Sequence, residues 1–469
     1  NGSVSQVDVL ADPSCSLDNI KISPELVYRA VRKLKVKTSS GPDGYSSQLL
    51  KPLAMGISLP LALIFASSFQ TSTLPSVWRS AVVTPVFKKG ASSDTNNYRP
   101  ISLTCTCCKF MESLVKNQML TYLLKNQLIS KQQHGFLARR STCTELLECT
   151  NDWTLALNAR NSVDCAYIDF SKAFDSVVHS KLCVKLASFG IDGKLLSWLT
   201  AFLSDRTQCV EVGRCMSKPY RVISGVPQGS VLGPLLFLLF INDIADLFGQ
   251  YSDSIDVKLF ADDVKIYVKV VNIQDCFCLQ RGLDALSDWS ERWQLSLSAN
   301  KCLVLQLGSS NKKFVYKIGS NTLSSVLVTR DLGITVDSEL KFDSHINNIV
   351  TKAHQRASLI LRCFRSRDPQ LLFRAFVTYV RPLLEYNCQV WSPRYVTLIA
   401  QIESVQRSFT KRLKGLSHQP YEIRLQRLGT VTLELRRLWA DLSMIYNMLH
   451  GNIDIDTTSF FNMIDTDII

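Results

Sequence analysis

Cysteine, long apolar runs and leader-like features are all scarce in this chain, and each scarcity removes a class of protein. The 15 cysteines in 469 residues are scattered, without the even spacing of a secreted disulfide framework. They point to a reducing compartment, so an intracellular location in nucleus and cytoplasm is expected and secretion is not. The longest apolar runs, 231–241 and the proline-broken 52–66, fall short of the ~20 residues that a spanning helix needs. No membrane partner is expected. Residues 1–16 carry neither a basic start nor an apolar stretch, so no signal or transit peptide is legible, and without an initiating methionine the chain reads as a piece of a longer protein. No internal repeat or low-complexity segment is present. Acids are also in short supply, 40 Asp and Glu against 53 Lys and Arg, which leaves a net charge of +13.

What is there is ample apolar material, 46% of residues, enough to bury cores in several domains and to exclude disorder as the main state. The excess of positive charge is concentrated in 341–437, with 17 Lys and Arg against 6 Asp and Glu. Such a stretch suits a polyanion, because basic side chains that neutralise phosphates release counterions; a basic membrane-facing surface is the competing explanation. Arginine dominates it, as forked phosphate contacts favour.

Periodicity predicts helices over 22–34, with Ser23 as N-cap, and over 47–68, 109–127, 144–159, 180–189, 191–203, 235–246 and 273–293. Strands are predicted over 81–87, 164–170, 208–212, 220–223, 302–307 and 314–318, followed by a segment over 327–336. From 342 to 449 the pattern is nearly all helical. Val257, Leu259 and Ala261 alternate before Asp262-Asp263, and Val264, Ile266 and Val268 alternate after it, so the two acids sit at a hairpin turn. Taken alone, that pair is a surface turn, because Asp favours turns for backbone reasons. Adjacent carboxylates are also tolerated where a divalent cation lies between them and a third acid.

Order and company single these acids out. Reading forward come Tyr167-Ile168-Asp169-Phe170-Ser171-Lys172-Ala173-Phe174-Asp175, Ser224-Gly225-Val226-Pro227-Gln228-Gly229, Phe260-Ala261-Asp262-Asp263, Asn300-Lys301 and Leu332-Gly333. From about Gly41 to about Leu438 the chain resembles the reverse transcriptases of non-LTR, LINE-like retrotransposons of the jockey type. The resemblance implies an α+β, right-hand polymerase fold: an N-terminal extension (1–40), fingers (41–160), an antiparallel-sheet palm (161–338, with a fingers-like insertion near 185–222), a helical basic thumb (339–450) and a tail (451–469). It implies an RNA-directed DNA polymerase that extends a DNA primer on template RNA with dNTPs.

By the same resemblance Asp169 and Asp262, with Asp263 beside them, bind two Mg²⁺ ions, with Mn²⁺ as the alternative. Hard oxygen ligands suit such ions, which activate the primer hydroxyl and stabilise pyrophosphate. Asp175 reads as structural. Phe174 takes the position of a side chain that excludes a 2′-hydroxyl, or else is core. Gln228 and Gly229 open a helix at the nascent base pair. Lys88, Lys89 and Arg99 supply cations for the triphosphate, and which lysine does so is open; Lys301 matches a lysine that protonates pyrophosphate, or is a strand-edge lysine. Leu332-Gly333 matches a primer-grip turn, Gly41-Pro42-Asp43-Gly44 and His134-Gly135-Phe136 match fingers elements near template RNA, and Arg362, Arg365, Arg367, Lys411, Arg412 and Lys414 are candidates for backbone contacts. The apolar members of the stretches 379–386 and 390–393 read as core.

Cys105-x-x-Cys108 and Cys276-x-Cys278 lack partners at a zinc spacing, and the six histidines form no protease or triad pattern. Nothing before Gly41 is long enough for an endonuclease domain, so the chain is expected to polymerise without cutting. A viral RNA-dependent RNA polymerase is disfavoured by Phe174 and by Phe260-Ala261 before the paired acids. The remaining alternatives are a group II intron-like reverse transcriptase and an inactive nucleic-acid-binding remnant, against which the retained acids speak.

Overall fold

Two helical pieces open the described chain, which covers residues 15–36, 40–248 and 254–462 of a computed structural model. The expected extension and tail therefore lie partly outside the described residues. In Pro24–Arg32, Ser23 caps the N-terminus by accepting the Leu26 N–H, and Val27 and Val31, one turn apart, are buried. The helix expected over 47–68 is two pieces, Ser47–Leu50 and Ala54–Thr71, separated at Pro52. By length and composition Ala54–Thr71 is long and apolar enough to cross a membrane, because the helix extends five residues past the apolar run 52–66. Its Phe65 and Phe69 are buried in the core, where it packs on Pro24–Arg32 and on Gly193–Leu203.

Strand β1 (Ser80–Phe87) pairs antiparallel with β2 (Tyr98–Thr104) from Ala81↔Thr104 to Phe87↔Tyr98. β2, for which no strand is predicted, contains Pro100, a residue confined to sheet edges; here it faces Pro85 at the outer edge of the sheet. β3 (Ser162–Ile168) follows the helices Thr106–Lys125 and Thr142–Asn158. β4 (Arg206–Val212) then runs parallel beside β1, with β5 (Cys215–Met216) and β6 (Tyr220–Val222) folded back on it, so residues 206–222 join the sheet of β1 and β2.

β7 (Ile255–Phe260) and β8 (Asp263–Val270) form the expected hairpin, and β9 (Leu303–Leu307) follows the helix Ile273–Trp293. After the small hairpin of β10 (Lys317–Ile318) and β11 (Asn321–Thr322), β12 (Ser324–Val326) completes a sheet of order β12-β9-β3-β8-β7. Of the strand expected over 314–318, only the last two residues pair. The sheet is mixed and not purely antiparallel: the excursion through β10 and β11 returns the chain to the start of β9, so β12 enters parallel to it. β13 (Val328–Asp331) and β14 (Ile334–Asp337) close a separate two-stranded hairpin.

Both faces of the central sheet are buried, which explains its nearly continuous apolar strands. Ala166, Ile168, Val264, Ile266 and Val304 belong to a core shared with Ile273–Trp293 and Gly233–Ile241. Val163, Cys165, Tyr267, Leu305 and Leu307 face a second core, into which Asp343–Cys363 sends Ile346, Val350, Ala353, Ala357 and Ile360 at helical spacing. Val380, Leu384 and Trp391 are buried in that core as expected, whereas Tyr379 and Tyr386 are exposed. The chain is thus α+β, with its acids at one end of the central sheet.

Candidate active site

The register of β3 on β8 decides where Asp169 emerges. Ile168, the last residue of β3, is opposite Val264, so Asp169 leaves the sheet beside the Ala261-Asp262 turn. Its backbone is held on both sides: the carbonyl accepts the Ser298 N–H at 2.7 Å, and the N–H donates to Cys302 Sγ at 3.4 Å. Its carboxylate pairs with Lys301 Nζ at 3.1 Å, in the open. At the turn, Phe260 and Asp263 are the last paired residues, and Ala261 sits at φ +55°.

The three acids act on one another. Burial, with Asp169 adding to it, raises the Asp262 carboxyl, and Lys88 and Arg99 oppose the shift. Asp263, though accessible to solvent, is pushed up to about 6 by the surrounding protein and by Asp262, Asp331 and Asp169. A cation would relieve this crowding. Among the described residues no three Asp, Glu, His or Cys side chains close round one point as a complete cage. The donor set nonetheless fits Mg²⁺, which is held by one or two carboxylates with the rest supplied by water and substrate phosphates.

Around the acids, Phe174 is half-buried, stacked on Phe237 with centroids 4.2 Å apart and edge-on to Phe136. Gln228 Nε2 donates to Asp175 Oδ1 at 3.2 Å, giving Asp175 the structural role expected of it. The Gln228 carbonyl accepts the Ser102 N–H at 2.7 Å, which joins this loop to β2. Gly229 is needed there: at φ +119°, a Cβ would lie 2.3 Å from the Ser102 carbonyl oxygen. Lys88, Lys89 and Arg99 are all exposed where β1 and β2 meet, but it is Lys88 and Arg99 whose charge reaches Asp262.

Comparison with known proteins shows the family. The family described as reverse transcriptase (RNA-dependent DNA polymerase) matches residues 86–335, more than half the chain. The chain belongs to the reverse transcriptase family. It is 28% identical to the RNA-directed DNA polymerase from mobile element jockey of Drosophila melanogaster, over 85% of this chain and 44% of that protein. It is likewise 28% identical to the jockey polymerase of Drosophila funebris, over 84% of this chain and 44% of that one. The chain therefore spans less than half the length of these relatives. The resemblance to non-LTR retrotransposon enzymes read from the motifs is borne out.

Other motif residues have tasks that the motifs do not reveal. Asp43 accepts the Thr106 N–H at 2.8 Å and so caps Thr106–Lys125. Gly135 abuts the acid turn, where a Cβ would meet the Ala261 nitrogen at 2.5 Å. Leu332 and Gly333, at φ +42° and +93°, form the turn of β13 and β14, and the Leu332 carbonyl accepts the Tyr386 hydroxyl at 3.0 Å. Arg362, Arg365, Lys411 and Arg412 are exposed at helix ends far along the chain from the acids.

Two supports were missed from sequence. Lys265, two residues past Asp263, is buried and pairs with Glu145 at 2.8 Å and Asp331 at 3.0 Å, which joins β8 to the Leu332-Gly333 turn. A lysine inside the alternating run 264–268 was the available signal. Gln133, also buried, reaches the acid turn from 128 residues away.

Proposed function

We propose that the chain is the polymerase portion of a non-LTR retrotransposon protein, extending a DNA primer 3′-hydroxyl on an RNA template with dNTPs inside the cell, in nucleus and cytoplasm. The observation that carries this reading is the register that sets Asp169 beside the Asp262-Asp263 turn, where the carboxyls crowd one another. In right-hand terms, residues 41–160 with the 185–222 insertion are fingers, 161–338 the palm and 339–450 the thumb. The sheet that β4 shares with β1 favours counting the insertion with the fingers.

Asp169 and Asp262 hold the divalent cations, with Asp263 beside them. Two bound Mg²⁺ ions, or Mn²⁺ in their place, supply activation of the attacking hydroxyl and neutralisation of the leaving pyrophosphate. Lys88 and Arg99 draw the triphosphate towards Asp262, and Lys89 is left to solvent. The open edge of Phe174, backed by Phe237, blocks a 2′-hydroxyl. Gln228, oriented by Asp175, and Gly229 border the nascent base pair. Lys301, held by Asp169, donates a proton to pyrophosphate from Nζ. The Leu332-Gly333 turn supports the primer, and Arg362, Arg365, Lys411 and Arg412 contact the nucleic-acid backbone.

The test is primer extension on an RNA template with dNTPs and Mg²⁺. The chain is expected to extend the primer and Asp262→Ala to abolish extension; an equally active Asp262→Ala chain removes the mechanism.

A further inference from the structure

The acid turn has an unusual backbone, and something must hold it. Ala261 carries a side chain yet sits at φ +55°, a region that non-glycine residues enter only where their surroundings keep them. It immediately precedes Asp262, so its conformation sets the direction in which the Asp262 carboxylate leaves the hairpin.

What holds it comes from a distant part of the chain. Residues 130–135 run beside β7: the His134 N–H donates to the Leu259 carbonyl at 2.7 Å, and the Leu259 N–H donates to the Gln132 carbonyl at 3.0 Å. Gln133 lies between them, 1% exposed. Its Oε1 accepts the Ala261 N–H at 3.0 Å and the Gly135 N–H at 2.7 Å. The absent side chain of Gly135 permits this approach. Gln133 is itself fastened, because Arg140, whose guanidinium is largely buried, donates to the Gln133 carbonyl at 2.7 Å and to the Lys131 carbonyl. The other side of that guanidinium pairs with Asp454 at 2.7 Å, beyond the last long helix. Asp454 also donates its N–H to the Arg139 carbonyl at 3.0 Å.

We propose that Gln133 is a positioning residue for the polymerase acids: its side-chain oxygen keeps Ala261 left-handed and thereby aims Asp262 at the cations, with Arg140 and Asp454 as its brace. This rests on the polymerase reading above, but it concerns a residue that touches neither substrate nor metal. The amide is apt for the task. It accepts two backbone N–H groups without bringing another negative charge beside Asp262 and Asp263.

The experiment uses the full chain and reads metal binding without turnover. Free Mn²⁺ is measured by electron paramagnetic resonance for the wild type, Gln133→Met and Gln133→Glu, with Asp262→Ala setting the level of binding outside the site. Gln133→Met, similar in size but without the acceptor, is expected to weaken Mn²⁺ binding roughly tenfold, as loss of a partner that orients a ligand does, and to raise the half-saturating Mg²⁺ in primer extension in step. Gln133→Glu keeps an oxygen for both N–H groups, and its added charge draws Mn²⁺ while raising the neighbouring acids, so its affinity is expected to stay within about threefold of wild type. Unchanged Mn²⁺ affinity in Gln133→Met, or equal losses in both variants, overturns the proposal. Should Gln133→Met fail to fold, hydrogen exchange of the wild type decides: the Ala261 amide is expected to be protected, and rapid exchange there overturns it. A wild type that binds Mn²⁺ but extends no primer would count against the polymerase reading and leave this test intact.

Discussion

Replacing Lys265 by methionine removes a cation held between two buried carboxylates. Nζ lies 2.8 Å from Glu145 and 3.0 Å from Asp331, and the three side chains are 3%, 0% and 4% exposed. Breaking such a pair by deleting one partner costs roughly 3–5 kcal/mol, because a charge is left buried and uncompensated. Relief is available here. Burial, joined by Asp331 and Asp263 and opposed by Lys265, already pushes the Glu145 carboxyl up to about 7, so the orphaned acid takes up a proton readily. That places the expected loss near the lower end, about 3 kcal/mol at neutral pH.

The pH dependence has a definite sign. Without Lys265 the folded-state pKa of Glu145 moves further above its unfolded value. The folded state then binds more protons than the unfolded one, and stability falls as pH rises through that range. The loss in Lys265→Met should therefore be larger at about pH 8 than at about pH 6. Urea unfolding followed by tryptophan fluorescence suits the measurement, since Trp153 lies edge-on to Tyr267 on the same face of β8, 5.8 Å between centroids. Adding Glu145→Gln should restore part of the loss. A cost below about 1 kcal/mol at both pH values would mean that the pair is not buried or not ionised.

Three further outcomes are expected. Phe174→Ala should admit ribonucleotides, with discrimination in kcat/KM between dNTP and rNTP falling by roughly tenfold or more, about 1.4 kcal/mol; unchanged sugar selection would return Phe174 to the core. At sub-saturating Mg²⁺, extension should fall as pH drops through about 6, where Asp263 takes up a proton, and a flat profile in initial rates would contradict the crowding of the acids. Gly229→Ala, forced against the Ser102 carbonyl, should raise the KM for dNTPs and lower thermal stability together, and normal dNTP kinetics would show that the loop does not depend on its seat against β2.

The catalytic hairpin was legible because its two strands alternate cleanly about Asp262-Asp263, and Asp169 because an ordered set of motifs accompanied it. Helix 273–293 was legible in full, since a period of 3.6 over many residues has no competing reading. β2 was not, because Pro100 hides a strand at the edge of its sheet, and nothing in the local pattern of β12 reveals that a 16-residue excursion brings it in parallel. The supports of the site were hidden for a different reason. Gln133, Lys265 and Asp43 make their decisive contacts across 128, 120 and 63 residues of chain, and local periodicity carries no record of such pairings. Their sequence neighbourhoods suggest only a polar loop, a strand lysine and a turn.

Asp169 and Asp262 are expected to act as one unit. Asp169→Asn, Asp262→Asn and the double variant should be compared in RNA-templated primer extension at fixed Mg²⁺, with chains of verified fold. If the two carboxylates serve one shared cluster of cations, each single variant loses about as much kcat as the double. Losses that multiply, or a single variant that retains most of its rate, would contradict the account.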